Sequence, residues 1–317
     1  MQAGRIGERM RWPITILASF ISPLVLAGQQ PPLASVPAAS PTAGFQSVDI
    51  EGKTLRYHCQ GAGSPTVIIE QGGGISVETV FSWKQPVGWA ALAPRIASLT
   101  RICVYDRIGL GRSSKAERPR TSFDVADELH SLLDRERIHS PYVLAGQSLG
   151  GMNAIAFANR YRDEVVGLVL VDSSHPQQRQ RINAVLPARS EDESDVMRGF
   201  RDGPDRAAMG GEWFDFDRNG REFVNNMTVG GIPLIVLTAA PQPPSDRNPL
   251  PHEWQLVIEP MHQQLQRELA RLSTDSKHIV AQKAGHNIQL DEPELVFNAI
   301  TDLVLRARRA GSKSASN

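Results

Sequence analysis

Cysteine is scarce in this chain: of 317 residues only Cys59 and Cys103 carry a thiol, and they lack the C-x-x-C spacing of a metal or redox site. An excess of charge of either sign is missing too, because lysine plus arginine and aspartate plus glutamate each total 34. Such a chain has no electrostatic reason to seek nucleic acid or an anionic membrane, so a small molecule is the expected partner. No Walker A loop, no G-x-G-x-x-G and no H-E-x-x-H occurs, which leaves nucleotide binding and catalytic zinc without support and predicts that no cofactor is needed. A long apolar run is also absent. The stretch Trp12–Ala27 is 16 residues interrupted by Pro13 and Pro23, short of the ~20 needed to span a bilayer.

That stretch follows Arg5, Arg9 and Arg11 and ends in small residues, the pattern of an export signal, so residues 1–27 read as a signal peptide cleaved after Ala27. The mature protein is then expected to be periplasmic or secreted, with no stable membrane insertion. Residues 28–44 are rich in proline, alanine and serine without apolar periodicity and read as a tether. In an exported chain Cys59 and Cys103 can oxidise; as buried strand residues they equally suit a pair of inert core thiols, and both readings stay open.

The chain's 41% hydrophobic content is enough for a large core, and the folded part is expected to begin near Phe45. Short β-branched runs at Lys53–Cys59, Thr66–Gln71, Arg101–Asp106, Tyr142–Gly146, Val165–Asp172, Ile232–Thr238 and His278–Lys283 read as strands. Amphipathic segments lie between them. Thr121 with Asp124 resembles a capping box ahead of a helix whose Val125, Leu129, Leu132 and Leu133 share one face. A second stripe runs through Val257, Met261, Leu265, Leu269 and Leu272, and a last helix starts at Pro293 and buries Val296, Ile300 and Leu303. Apolar strands alternating with helices predict an α/β fold with a mainly parallel sheet covered on both faces, and chemistry at the carboxyl ends of its strands. Residues 176–230 break the alternation: they are polar, carry Trp213, Phe214 and Phe216, and read as an inserted, mostly helical cap. The core is then 45–175 plus 231–308, with 309–317 as a flexible tail.

Gly146-Gln147-Ser148-Leu149-Gly150 fits G-x-S-x-G between a strand and a helix, the setting in which that motif exposes a nucleophilic serine on a tight turn. A neutral serine needs a base. Among eight histidines, His286 follows the last expected strand and precedes the last helix, which selects it. His175, just past the Val165–Asp172 strand, is the rival and reads as a pocket residue. His58, His130, His139, His252, His262 and His278 read as structural. For the acid, Asp172 ends a strand and is rigidly placed, whereas Asp246 sits in the proline-rich loop Pro241–Pro251; Asp172 is favoured and Asp246 stays open. Glu70-Gln71-Gly72-Gly73-Gly74 follows a strand, and the N–H groups of Gly73 and Leu149 are the candidate oxyanion donors. Asp215 to Asn226 matches only the first half of a calcium loop, lacking the glutamate at the twelfth position, and reads as a turn.

The elbow at 146–150, the stretch Tyr105-Asp106-Arg107-Ile108-Gly109-Leu110-Gly111-Arg112-Ser113 and Gly285-His286 together resemble the α/β-hydrolase family over residues 45–308. The resemblance implies an α/β-hydrolase fold and the order Ser148, an acid, then His286. The family often has His-Gly where this chain has Gln71-Gly72, and an aspartate after the seventh strand where this chain reads Thr238-Ala239-Ala240-Pro241. That second departure favours Asp172, a position some relatives use for the acid. The implied activity is a serine hydrolase cleaving a carboxylic ester or related acyl bond of a small molecule. A proline-iminopeptidase-like peptidase and a non-catalytic small-molecule binder on the same fold are the alternatives.

Overall fold

The structure is a computed structural model that describes residues 44–81, 86–203, 209–225, 227–245 and 250–314. The signal-like segment and the tether up to residue 43 lie outside the described residues, as does Asp246. Among the described residues there are eight strands: β1 (Gln46–Ile50), β2 (Lys53–Gln60), β3 (Thr66–Glu70), β4 (Ile102–Asp106), β5 (Tyr142–Gln147), β6 (Val165–Val171), β7 (Leu234–Ala239) and β8 (Ser276–Ala281). They form one sheet in the order β1-β2-β4-β3-β5-β6-β7-β8, antiparallel from β1 to β4 and parallel from there on. The helices are α1 (Val77–Phe81), α2 (Trp89–Leu99), α3 (Ser122–Arg135), α4 (Leu149–Arg160), α5 (Gln178–Val185), α6 (Asp195–Asp202), α7 (Phe216–Phe223), α8 (His252–Leu269), α9 (Ile288–Asp291) and α10 (Pro293–Ser314).

Successive residues of the central strands enter different cores, as strand geometry requires. Ile68, Leu144, Leu168 and Leu170 meet α3 and α4 on one face, while Val67, Ile69, Val143, Val169 and Val171 meet α2 and α10 on the other. The capping box forms as read: Asp124 N–H donates to Thr121 Oγ1, and Thr121 N–H donates to Asp124 Oδ2. The faces read from α3 and α10 are buried. At ~1.5–3 kcal/mol per fully buried aliphatic side chain, these two cores hold the sheet between its helices.

Four sequence readings change. A strand before Lys53 was not anticipated, because β1 is five residues long and its alternation is confined to Val48, which is buried, and Ile50, which is partly buried; a two-residue turn at Glu51-Gly52, both at positive φ, folds it onto β2. The stripe on α8 is real only after Pro260: Leu265 and Leu269 are buried, Val257 is exposed, and Leu272 is buried beyond the helix end. The helix instead turns Gln263 and Gln266 inward, where they donate to Ala239 O and Ser173 O. The chain after residue 308 continues as helix to Ser314, and Arg308 ties that helix to the core by donating to Ser64 O and Leu99 O. Asp215, expected in a turn, caps α7 by accepting from Arg218 N–H at 2.8 Å.

The insertion between β6 and β7 contains α5, α6 and α7 and, among the described residues, no strand beyond isolated bridges at Phe214 and Gly230. Cys59 and Cys103 face each other across the β2–β4 pair and are joined in a disulfide. No helix among the described residues is long and apolar enough to cross a membrane.

Candidate active site

The parallel register sets the site. Glu70 pairs with Gly146 and Gln147 with Val171, so the loop after β3, the turn after β5 and the residue after β6 emerge side by side at the carboxyl edge. Ser148 occupies the turn between β5 and α4 at φ 53° and ψ −124°. A non-glycine residue holds such a conformation only where the surroundings over-determine it. Here the surroundings leave no space for side chains beside it: a Cβ on Gly146 would fall 2.4 Å from Gly150 O, and one on Gly150 would fall 2.0 Å from Glu70 O. The hydroxyl thus stands at the N-terminus of α4, where the helix dipole favours developing negative charge.

Asp172 leaves β6 at φ 41°, with its N–H bonded to Leu237 O at 2.7 Å. Its buried carboxylate accepts three hydrogen bonds: from His286 Nδ1 to Oδ2 at 2.7 Å, from His262 Nε2 to Oδ1 at 3.1 Å, and from Ala239 N–H to Oδ1 at 3.0 Å. Burial alone would push this carboxyl up; the donors on His262 and His286 outweigh it and hold the group well below the usual carboxylate range. An ionised Asp172 makes Nδ1 the protonated nitrogen of a neutral His286 and leaves Nε2 as the acceptor.

That acceptor faces Gln147, whose Nε2 lies 3.2 Å from His286 Nε2 and 3.3 Å from His286 O. Among the described residues no hydrogen bond joins Ser148 Oγ to His286. Serine–histidine bonds are often loose in unliganded sites and tighten with substrate.

The loop after β3 lies against the elbow. A Cβ on Gly73 would fall 3.2 Å from Leu149 Cδ2 and 2.6 Å from Met209 Cε. Gly74 N–H is consumed by Glu212 Oε2 at 3.0 Å, whereas the N–H groups of Gly73 and Leu149 have no hydrogen-bond partner among the described residues. Gln71, standing where relatives often have histidine, supports the loop through its carbonyl. Arg107 donates to Gln71 O at 2.6 Å and Gly72 O at 2.9 Å, and it reaches Glu212 through Nε at 2.7 Å and Nη2 at 3.0 Å. Burial works against the charge on Arg107, but Glu212 and Glu70 outweigh it and raise its pKa. Glu70, also bonded to Tyr105 and Asn153, is pushed up by burial. Asp106 accepts from Ser76 Oγ and Val77 N–H, which anchors the start of α1.

The structure therefore brings Ser148, Asp172, His286, Gly73 and Leu149 to one edge of the sheet. His175 is not brought to the acid or to His286. It is buried behind the β6 end, its Nδ1 accepts from Gln177 N–H, its Nε2 lies 3.9 Å from Glu268, and burial lowers its pKa to about 4. His262, read as structural, instead sits on the candidate acid. No strand-end signal marks it, because it lies within a helix and reaches the acid across 90 residues of chain. Glu212 was likewise unmarked, whereas Arg107 fell within the Tyr105-to-Ser113 stretch that carried part of the family resemblance. Among the described residues no cluster of three or more metal-ligating side chains occurs, and Asn226 of the half-matched calcium loop lies outside them.

The comparisons agree with this architecture. An uncharacterised protein of Bacillus subtilis, YqjL, is 26% identical over 247 residues, covering 78% of this chain and 86% of that protein. A 2-hydroxy-6-oxononadienedioate/2-hydroxy-6-oxononatrienedioate hydrolase of Escherichia coli K12 is 31% identical over 137 residues, 41% of this chain and 44% of that one. Among solved structures, a thermophilic esterase from Thermogutta terrifontis superposes with a TM-score of 0.55 at 21% identity, covering 83% of this chain and 99% of the esterase. A probable hydrolytic enzyme from Pseudomonas aeruginosa PAO1 gives 0.57 at 18% identity, with coverages of 82% and 93%. The family model described as "Alpha/beta hydrolase family" matches residues 72–299, and the chain, with its eight-stranded sheet and strand-end site, belongs to that family.

Proposed function

We propose that this member of the hydrolase family is an exported serine hydrolase that cleaves a carboxylic ester or related acyl bond of a small molecule. The observation that carries the reading is the Asp172–His286 contact at 2.7 Å beside a serine held at positive φ on a strand-to-helix turn. In the reaction Ser148 Oγ attacks the acyl carbon while His286 Nε2 takes its proton, and the ionised Asp172 stabilises the resulting imidazolium. The N–H groups of Gly73 and Leu149 receive the oxyanion. Collapse expels the alcohol with the proton from His286, leaving an acyl-serine. Water, deprotonated by His286, then attacks this intermediate and releases the acid.

Each catalytic bond requires only groups already at the sheet edge, which disfavours the non-catalytic binder. The apolar cluster of Leu149, Met152 and Met209, with Phe214 and Phe216 packed on it, adjoins Gly73 and suits an apolar acyl group. Export is supported by the basic, then apolar, start of the chain and by the Cys59–Cys103 disulfide, which persists in oxidising compartments.

The test is hydrolysis of p-nitrophenyl esters of graded acyl length by the purified protein, alongside Ser148→Ala and fluorophosphonate labelling. Wild-type turnover with stoichiometric labelling is expected, and Ser148→Ala should lose at least ~10³-fold in kcat and all labelling. Activity surviving in Ser148→Ala would overturn the nucleophile, and absence of both turnover and labelling would promote the binder. N-terminal sequencing of protein recovered from the exported fraction tests the leader, since an unprocessed chain retained in the cytoplasm would refute export.

A further inference from the structure

The acid of this site carries two imidazoles, one on each oxygen. His286 Nδ1 occupies Oδ2 at 2.7 Å, while His262 Nε2 occupies Oδ1 at 3.1 Å, with Ala239 N–H on the same Oδ1 at 3.0 Å. A carboxylate only accepts, so both rings must donate to it. The roles of the two rings differ by where they are mounted. His286 rides on a loop between β8 and α9 and keeps Nε2 toward Gln147 and the elbow. His262 sits within α8, which is fastened to the same strand ends by Gln263 on Ala239 O and Gln266 on Ser173 O. The ring is therefore delivered by a rigid element and is directed at the acid rather than at the substrate.

We propose that His262 is a positioning residue of the hydrolytic site: it fixes the plane of the Asp172 carboxylate so that Oδ2 meets His286, and it shares the charge of that carboxylate, setting the pH at which His286 becomes a competent base. This rests on the assignment of Ser148, Asp172 and His286 above. The rotation of an aspartate about its last torsion is soft and roughly two-fold, so a single amide on Oδ1 would leave the plane poorly fixed. The second imidazole closes that freedom.

The charges around His262 decide the sign of the effect. Asp172 faces it from the end of β6, Glu259 acts from its own helix, and His286 lies across the shared carboxylate. From α5, Arg181 is engaged by Glu268 farther along α8, and Ala239 of β7 brings its uncharged backbone N–H to the shared carboxylate. Burial disfavours the charged ring, but the two carboxylates outweigh it and raise its pKa. A positively charged partner on Asp172 weakens the field of that carboxylate at His286. Removing it strengthens the field, stabilises protonated His286 and moves the acid limb of the reaction to higher pH.

The experiment uses the full chain with His262→Ala and His262→Gln, the latter placing an amide donor near the position of Nε2 but never a charge. Three quantities are read: kcat and KM for the ester against pH, the pH dependence of fluorophosphonate labelling of Ser148, and the titration of the His286 ring by NMR. In His262→Ala the acid limb and the His286 titration should rise by ~0.5–1 pH unit, and kcat should fall roughly tenfold with KM little changed. In His262→Gln most of kcat should return while the shifted limb remains. A His286 titration and acid limb that stay at wild-type pH in His262→Gln overturn the proposal, including where His262→Ala fails to fold. Failure of the underlying assignment is seen separately, as activity or labelling that persists in Ser148→Ala.

Discussion

Glu212 offers the sharpest test of how the inserted segment governs the site. Its carboxylate has no solvent exposure and accepts from Arg107 Nε at 2.7 Å, Arg107 Nη2 at 3.0 Å and Gly74 N–H at 3.0 Å. Arg107 in turn holds the carbonyls of Gln71 and Gly72, so one glutamate from the insertion fastens the loop carrying Gly73. Glu212→Ala leaves a buried guanidinium without its main partner and Gly74 N–H unpaired. Removing one member of a buried ion pair costs about 3–5 kcal/mol, and the lower end applies because Glu70 remains within reach of Arg107 at 3.3 Å. At ~2–4 °C per kcal/mol for a domain of this order, the melting temperature should fall by roughly 6–12 °C. Glu212→Gln keeps the shape and an acceptor oxygen but not the charge, and should lose about half as much. The loosened loop should also slow fluorophosphonate labelling by roughly 10-fold or more, short of the ~10²–10³ for complete loss of an oxyanion donor. Thermal unfolding followed by circular dichroism and labelling kinetics are the assays. A Glu212→Ala protein that melts within 1–2 °C of wild type, roughly the ~0.5 kcal/mol scatter of surface substitutions, and labels at the same rate would refute the reasoning.

Two further outcomes follow from the same geometry. Gly150→Ala places a Cβ 2.0 Å from Glu70 O and 2.6 Å from Gln71 O; it should cost ~1–3 kcal/mol of stability and at least ~10-fold in kcat, and wild-type kcat in ester hydrolysis would contradict the close approach. His175 is buried neutral with its pKa lowered from 6.5 to about 4, so the unfolded chain takes up this proton first as pH falls. Its contribution is fully present above pH 6.5 and is lost toward pH 4, up to about 3 kcal/mol. Urea unfolding of His175→Gln across that window should show a flatter acid slope than wild type, and equal slopes would refute it.

What could be read before folding was whatever one element encodes by itself. The apolar strands, the capping box at Thr121 and the glycine-flanked Ser148 between β5 and α4 are local patterns, set by backbone periodicity and by turn sterics over a few residues. His286 was legible because position after the last strand is a property of chain order. The edge strand β1 was not, since a strand that buries one side chain leaves almost no periodic signal. The tertiary structure alone decided which groups converge: His286 reaches Asp172 across 114 residues, His262 across 90, and Glu212 reaches Arg107 across 105 and Gly74 across 138. Those contacts depend on the strand order that seats the end of β6 between β5 and β7, and on how α8 and the insertion pack over the edge. A polar side chain buried by such packing carries no mark in the sequence of its own helix or loop, because its partner is supplied by a different part of the chain.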